Sequence, residues 1–419
     1  MLSRVVDQPH LELAHHRAYR VTLPLTVAAT VPGLLIRFDV VHVPIGVEAV
    51  AYGVAIFGAA FLLSWAAEVA QLDISQTLAI AVLALIAVLP EYAVDFVLAF
   101  RAGQGDAESR HLAVANMTGA NRLLIGLGWA TVVLIWWLKT KKREAVLRRE
   151  QRTDVGFLLL ATLWAFTIPL RGQLSLLDLA VLGALFTAYM LRAAKEEVEH
   201  PELIGAAAAI GVLPTRTRRL VTFLMFVFSA TVILMVAEPF VESLKEIGSE
   251  FGISKFFLIQ WIAPLASESP EMIIAVLFTL RLKAQAGLGT LISSKVNQWT
   301  LLVGTLPLVF ALAGGGGEGF LNPMRMDATQ VEEVFLTAAQ SLFAVAVIAS
   351  LSITRWEAAL LLVLFLGQFG FASSAVRYGF AIAYLVLTVV VLVVSGDARR
   401  GLLESLRYVF RSRRARAET

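Results

Sequence analysis

The chain has 419 residues, of which 58% are hydrophobic and 16% charged, with a mean hydropathy of +0.76 and a formal net charge of +3. Soluble domains run at about 45–50% apolar and about 25% charged, so this composition excludes a water-soluble fold. The chain contains no cysteine, which removes disulfides, thiolate metal sites and thiol nucleophiles.

A hydrocarbon core about 30 Å thick needs roughly 20 apolar residues per helical span. The opening segment MLSRVVDQPHLELAHHRAYR is polar and lacks the apolar core and small-residue cleavage site of a signal peptide, so no processing is expected. Apolar runs then predict spans near 21–38, 46–70, 75–101, 111–138, 155–170, 175–193, 220–242, 254–281, 287–313, 330–352, 355–371 and 375–395. Lys and Arg crowd into KTKKREAVLRREQR (139–152), TRTRR (215–219) and RSRRAR (411–416). Beside apolar spans these fit the positive-inside rule better than a nucleic-acid surface. They predict cytoplasmic termini, with 139–153, 194–219 and 396–419 inside and with 102–110 and GGGGEG (314–319) outside. The tail 401–414 reads as a basic amphipathic helix on the inner leaflet or as a solvated tail.

Internal repetition is the strongest signal. PEYAVDFVLAFR (90–101) and PEMIIAVLFTLR (270–281) both open with Pro-Glu and close with Arg. NRLLIGLG (121–128) and NQWTLLVG (297–304) share their first Asn and last Gly. LDIS (72–75) answers FGIS (251–254), each after a span carrying acids, Glu68 in one and Glu238 and Glu242 in the other. The two units are separated by an odd number of spans, which makes the repeat an inverted one, the arrangement that builds a midplane transport site. The expected organisation is an N-terminal segment 1–45 with an extra helix, a first repeat 46–195 and a cytoplasmic linker 196–219. A second repeat follows at 220–371, then an extra helix and basic tail at 372–419.

A carboxylate inside a span costs at least about 2.5–3.5 kcal/mol, so it pairs or serves a pathway. Glu91, Asp95, Glu268 and Glu271 all fall inside apolar runs, spaced four and three residues apart so that each pair shares a helix face. Proline directly before Glu91 and Glu271 weakens the local ladder and frees carbonyl oxygens beside the carboxylates. Carboxylates and carbonyls together replace the water around a bare cation. The second segments of each unit, ANMTGANR (115–122) and ISSKVNQW (292–299), add short polar side chains: Asn116, Thr118, Asn121, Ser293, Ser294, Asn297 and Gln298. Such residues also mediate ordinary helix packing in membranes. The six histidines lie near span ends or in loops and read as solvated or interfacial.

On these motifs the chain resembles the calcium/cation antiporter superfamily, the sodium/calcium exchangers and their prokaryotic relatives. Each half of that family carries a repeat reading roughly Gly-Ile-Ser, Gly-Thr-Ser-Leu-Pro-Glu and Gly-Asn-x-x-Gly-Ser-Asn. The second half here shows FGIS, ASESPE (266–271) and GTLISSKVNQ (289–298), the first LDIS, IAVLPE (86–91) and ANMTGANR. The resemblance implies an all-α membrane fold of about 10–12 helices built as two inverted five-helix repeats. It also implies that Glu91 and Glu271 stand at the centre of the cation site and serve as its metal ligands. Where the family places Thr-Ser, this chain has Ala87-Val88 in one half and Ser267-Glu268 in the other. Lys295 replaces the Asn of Gly-Ser-Asn, and Arg122 follows Asn121.

Four carboxylates against Lys295 and Arg122 leave two negative charges if both bases face the site. That is enough for one divalent ion, one or two monovalent ions, or protons. Lys295 is then expected to stand in for one bound cation. The function expected is secondary antiport of Ca2+ or Na+ against Na+ or H+, in a bilayer and without a cofactor, in a bacterial cytoplasmic membrane. Glu91 and Glu271 would be principal ligands, with Asp95 and Glu268 as secondary ligands or proton carriers. Two alternatives stand beside it: an intramembrane enzyme, for which no Gly-x-Ser-x-Gly or His-Glu-x-x-His motif is present, and an exchanger scaffold that no longer transports.

Overall fold

The computed structural model describes residues 9–73, 89–194, 203, 205–369 and 373–410, with side chains from residue 21 onward. Among these residues the helices are α1 (Pro9–Arg37), α2 (Ile45–Ala70), α3 (Leu89–Gly103), α4 (Ala107–Thr140), α5 (Arg149–Arg171), α6 (Leu176–Ala193) and α7 (Gly205–Gly211). They continue with α8 (Thr215–Phe251), α9 (Lys255–Leu280), α10 (284–312), α11 (Ala328–Ile348), α12 (Arg355–Gly367), α13 (Ser374–Val394) and α14 (Gly396–Phe410). Eight of them are long and apolar enough to cross a membrane. Ile74, Ser75, Ala87, Val88 and the basic run 411–416 lie outside the described residues.

The chain forms two compact units, one from 1–90 and 197–243, the other from 91–196 and 244–419. In the first, α1 packs along α2. Glycine permits the close approach: a Cβ at Gly58 would stand 2.8 Å from the Thr26 carbonyl oxygen, and one at Gly33 would stand 2.7 Å from Ala55 Cβ. Leu62, Trp65, Ala66 and Val69 of α2 meet Ala206, Ala207 and Ile210 of α7 in a small core. Beyond α2 the chain is fastened by Asp73, which accepts from Arg218 Nε at 2.7 Å, from Arg218 at 2.8 Å and from Arg219 Nε at 3.0 Å.

The second unit carries the inversion in its backbone. Strand β1 (Glu144–Val146) precedes α5 and β2 (Gln173–Leu174) follows it; β3 (Met324–Arg325) precedes α11 and β4 (Ser352–Thr354) follows it. β1 pairs antiparallel with β4, and β2 with β3. Helix α5 therefore runs from the β1/β4 ribbon to the β2/β3 ribbon while α11 runs the opposite way. The 23 residues of α5 span about 34 Å, the thickness of a bilayer core. The equivalent helices of the two repeats are thus antiparallel, and the two ribbons are each other's counterparts at opposite ends. Side-chain contacts fix the remaining directions. Lys255 bonds Glu108 at 2.7 Å at the β2/β3 end, and Lys139 bonds the Leu280 carbonyl at 2.8 Å at the β1/β4 end.

Helices 4, 9 and 10 each widen into a π turn, at Leu124–Trp129, Leu258–Ile262 and Gln298–Leu302. Such turns disturb the regular carbonyl ladder and concentrate at functional positions. Helix α14 packs against the protein, with Ala398, Gly401, Ser405 and Val409 buried. A Cβ at Gly401 would stand 1.9 Å from the Ala349 carbonyl oxygen, and one at Gly156 would stand 2.7 Å from that of Ser405. The amphipathic segment expected on the leaflet has its small-residue face covered by α5 and the end of α11.

The two guanidinium partners, Arg218 first, hold the Asp73 carboxyl below the usual carboxylate range. A depressed folded value stabilises the fold above the unfolded value near 4 and ceases to do so as pH falls through the folded one. Asp73→Asn is expected to cost about 1–2 kcal/mol at neutral pH. In thermal unfolding of the detergent-solubilised protein, the gap to the parent should close as pH drops below about 4.

Candidate cation site

Four carboxylates of the second unit sit deep among its helices. Glu91 lies 12 residues before the end of α3 and Glu268 13 residues after the start of α9, so each is about 18–20 Å from the β2/β3 end. Glu91, Asp95, Glu268 and Glu271 are buried at 1, 2, 2 and 8% exposure, and among the described residues none has an ion-pair partner. That combination is costly in hydrocarbon, and it sets the chemistry of the site.

The donors that reach these acids are neutral. Asn116 Nδ2 donates to Asp95 Oδ1 at 2.9 Å, the Ser294 hydroxyl to Glu271 Oε2 at 2.6 Å, and Gln298 Nε2 to Glu268 Oε1. The Glu91 and Glu268 carboxyls adjoin one another. As carboxylates neither can donate to the other, so among the described residues both Glu91 oxygens lack a donor, as do Asp95 Oδ2, Asn116 Oδ1, Glu268 Oε2 and Gln298 Oε1. Every one of these unsatisfied atoms is an oxygen acceptor. A buried cluster short of donors and rich in negative oxygen suits a cation or protons. Pro270 adds to it, since it has no N–H for the Ala266 carbonyl one turn back. As it stands, no three acidic or histidine side chains among the described residues close on one point as metal ligands. Amide and carbonyl oxygens would have to complete a coordination shell here.

Lys295 is fully buried and lies within coulombic range of Glu91 and Glu268. Its ammonium donates to Asn121 Oδ1 at 2.6 Å and to the Asn121 carbonyl at 3.2 Å, and it sits 4.3 Å from the centre of the Trp299 ring. A primary ammonium has three donors, and neutral groups occupy them all, so Lys295 is near the acids without being bonded to any of them.

Arg122 is turned away from the cluster. It pairs with Glu333, donates to Gln368 Oε1 at 3.0 Å and stacks 5.0 Å from the Trp261 ring centre. Glu333 also accepts from Gln260 at 2.9 Å and from Arg377 Nε at 2.7 Å, and Arg377 reaches Glu332 at 3.1 Å. Two arginines and two glutamates neutralise one another there, so the charge balance drawn from the sequence changes. Among the described residues Lys295 alone lies near the four carboxylates to offset them.

The structure brings Glu91, Asp95, Glu268, Glu271, Asn116, Ser294 and Gln298 into one connected group. Asn121 belongs to it through Lys295, with its Nδ2 donating to Met117 O at 2.8 Å. Thr118 and Ser267 are buried with their hydroxyls donating to carbonyls of their own helices, which leaves their oxygen lone pairs as acceptors. Asn297 is buried at 2% exposure on α10, next to Gln298. Ser293 bonds instead to Asp154 Oδ1 at 3.0 Å. Asp154 and the Glu332, Glu333 and Arg377 network escaped sequence reading because each falls within three residues of a predicted span end, where a charge reads as interfacial. Counting charges just inside helix starts would have found them.

Fold and site together define a membrane cation antiporter rather than an enzyme. The sodium/calcium exchanger protein model matches residues 43–195 and 221–373, and the chain belongs to that family. The crystal structure of the H+/Ca2+ exchanger CAX superposes with a TM-score of 0.89 at 43% identity, over 94% of this chain and 98% of that one. Native YfkE gives a TM-score of 0.55 at 16% identity, over 89% and 99%. The sodium-calcium exchanger NCX_Mj gives 0.50 at 18% identity, over 78% and 97%, and these last two share the fold alone. No curated protein matches the chain.

The acids on α9 are held to α4 by a backbone contact that admits no side chain. A Cβ at Gly119 would lie 1.8 Å from the Gln260 carbonyl oxygen, inside the π turn of α9. Gly119→Ala is expected to separate the helices at a cost of about 1–3 kcal/mol, seen as a lower unfolding midpoint in detergent.

Proposed function

We propose that the chain exchanges Ca2+ for H+ across a bacterial cytoplasmic membrane, by alternating access at the Glu91–Glu271 carboxylate group. The observation that carries this reading is the group of four buried carboxylates with one near but unbonded ammonium and a surplus of acceptor oxygens. One divalent ion or two protons would neutralise most of the remaining charge. Both species need the same oxygens, so binding of one displaces the other, and that competition is what couples their fluxes. The 43% identity to a protein described as an H+/Ca2+ exchanger supports the choice of ions.

Glu91 and Glu271, one from each repeat, are the principal ligands in this reading. Asp95 and Glu268 are second ligands that take protons, and Asn116 and Gln298 supply amide oxygens. The adjoining Glu91 and Glu268 carboxyls would share a proton once the metal leaves. Repeats at 46–195 and 220–371, joined by the linker 196–219, give the two mirrored conformations that alternating access requires. Lys139, Lys141, Lys142, Arg143, Arg148 and Arg149 cluster at the β1/β4 end, which supports a cytoplasmic position for that end.

In proteoliposomes a pH gradient should drive 45Ca2+ uptake by the parent protein, and Glu91→Gln and Glu271→Gln should each abolish it. Ca2+ should also raise the unfolding midpoint of the parent, by an amount equivalent to about 2.7 kcal/mol at a hundredfold excess over its Kd. Exchange that persists at the parental rate in the double variant rules these glutamates out as ligands.

A further inference from the structure

Asp154 lies in the first turns of α5 and takes no part in the central group. It is buried at 8% exposure, and among the described residues no cation pairs with it. Its Oδ1 accepts from the Tyr189 hydroxyl at 2.7 Å and from the Ser293 hydroxyl at 3.0 Å. Among the described residues the other buried carboxylates of this unit outside the exchange site each meet an arginine: Asp178 meets Arg171, Glu333 meets Arg122 and Arg377, and Glu332 meets Arg377. Asp154 instead has neutral side-chain donors, two hydroxyls, much as the central acids have neutral amides and a hydroxyl.

Helix α10 connects it to them. Ser293 holds Asp154, the next residue Ser294 holds Glu271, and Gln298 holds Glu268. At 1.5 Å per residue these three contacts fall in order along about 7 Å of the helix axis. Asp154 is the outermost and lies toward the β1/β4 end. Ser293 and Ser294 are half-buried, and Gln298 is buried. The Gln151 amide one turn earlier would stand 2.5 Å from a Cβ at Gly289, so α5 and α10 stay closely apposed up to the ribbon.

We infer that Asp154, with the hydroxyls of Tyr189 and Ser293, is a loading site for the exchanged cation on the β1/β4 side, from which the ion passes by Ser294 and Glu271 to the centre. This rests on the exchange reading above and adds a site to it. A loading carboxylate raises the local concentration of a divalent ion on one face only, whereas a structural carboxylate supports the fold seen from both faces.

The test is Ca2+ exchange by Asp154→Asn in vesicles of known protein orientation, with the KM measured separately for Ca2+ presented at each face. The expected result is a KM raised about ten-fold at the β1/β4 face and unchanged at the other, with Ca2+ binding at saturation retained. Equal changes at both faces, or none, overturn the inference. Should Asp154→Asn fail to insert, Tyr189→Phe removes one donor from the same oxygen and must give the same one-sided change, about two-fold. Symmetrical or parental behaviour of that variant also overturns it. Absence of exchange in the parent overturns the exchange reading itself and this site with it.

Discussion

A carboxylate in hydrocarbon must be neutralised, and among the described residues no base bonds to any of the four buried in the central group. Ion pairs are plentiful a few residues away, where Arg122, Arg377, Glu332 and Glu333 satisfy one another. The absence of such pairing around Glu91 is therefore a property of the site and not of the chain's means. Neutral amides and hydroxyls orient the acids while leaving their charge unspent. The balance falls to whatever cation or proton arrives from solution.

The two repeats reach this arrangement by unequal routes. Each provides a Pro-Glu on the helix before its polar segment, but the second carboxylate comes four residues later in the first repeat (Asp95) and three residues earlier in the second (Glu268). Each second acid then takes its own amide, Asn116 for Asp95 and Gln298 for Glu268. The residue after the repeat asparagine also diverges: Gln298 stays with the carboxylates, and Arg122 leaves for Glu333. Two residues before that asparagine the second repeat has Lys295 and the first Gly119. Only glycine fits there, against the Gln260 carbonyl. The backbone two-fold survives in the ribbons and in the antiparallel α5 and α11, while the side chains have been redistributed across it.

Much of this was legible in the sequence because it depends on spacing. The twelve apolar runs fall on helices, with the run at 75–101 described only from Leu89 and that at 355–371 forming a helix of 13 residues. The Pro-Glu pairs, their companion acids and the polar segments after them were found from their order alone, since four- and three-residue spacings put carboxylates on one helix face. What spacing cannot give is the partner of a side chain. Arg122 and Lys295 looked alike as bases beside the acids, yet which way each turns is decided by Glu333 and Asn121, residues brought near by tertiary packing. The π turns were likewise hidden, because a single extra residue in a helical turn leaves no compositional trace.

The bonding of Lys295 has a consequence for selectivity. Had its ammonium paired with Glu91 or Glu268, that pair would be a closed unit, and an incoming ion would have to break it. Held instead by Asn121 and Trp299, the ammonium acts on the acids only through space. It lowers the net negative charge felt by an ion at the centre without occupying any ligand oxygen. Six acceptor oxygens of the group lack a donor among the described residues, and in the exchange reading proposed above these are what a divalent ion would meet. The same fixed positive charge disfavours filling the site with several cations at once. In the exchange reading such a site takes one metal ion in turn with protons, with Lys295 close to the acids but not bonded to them.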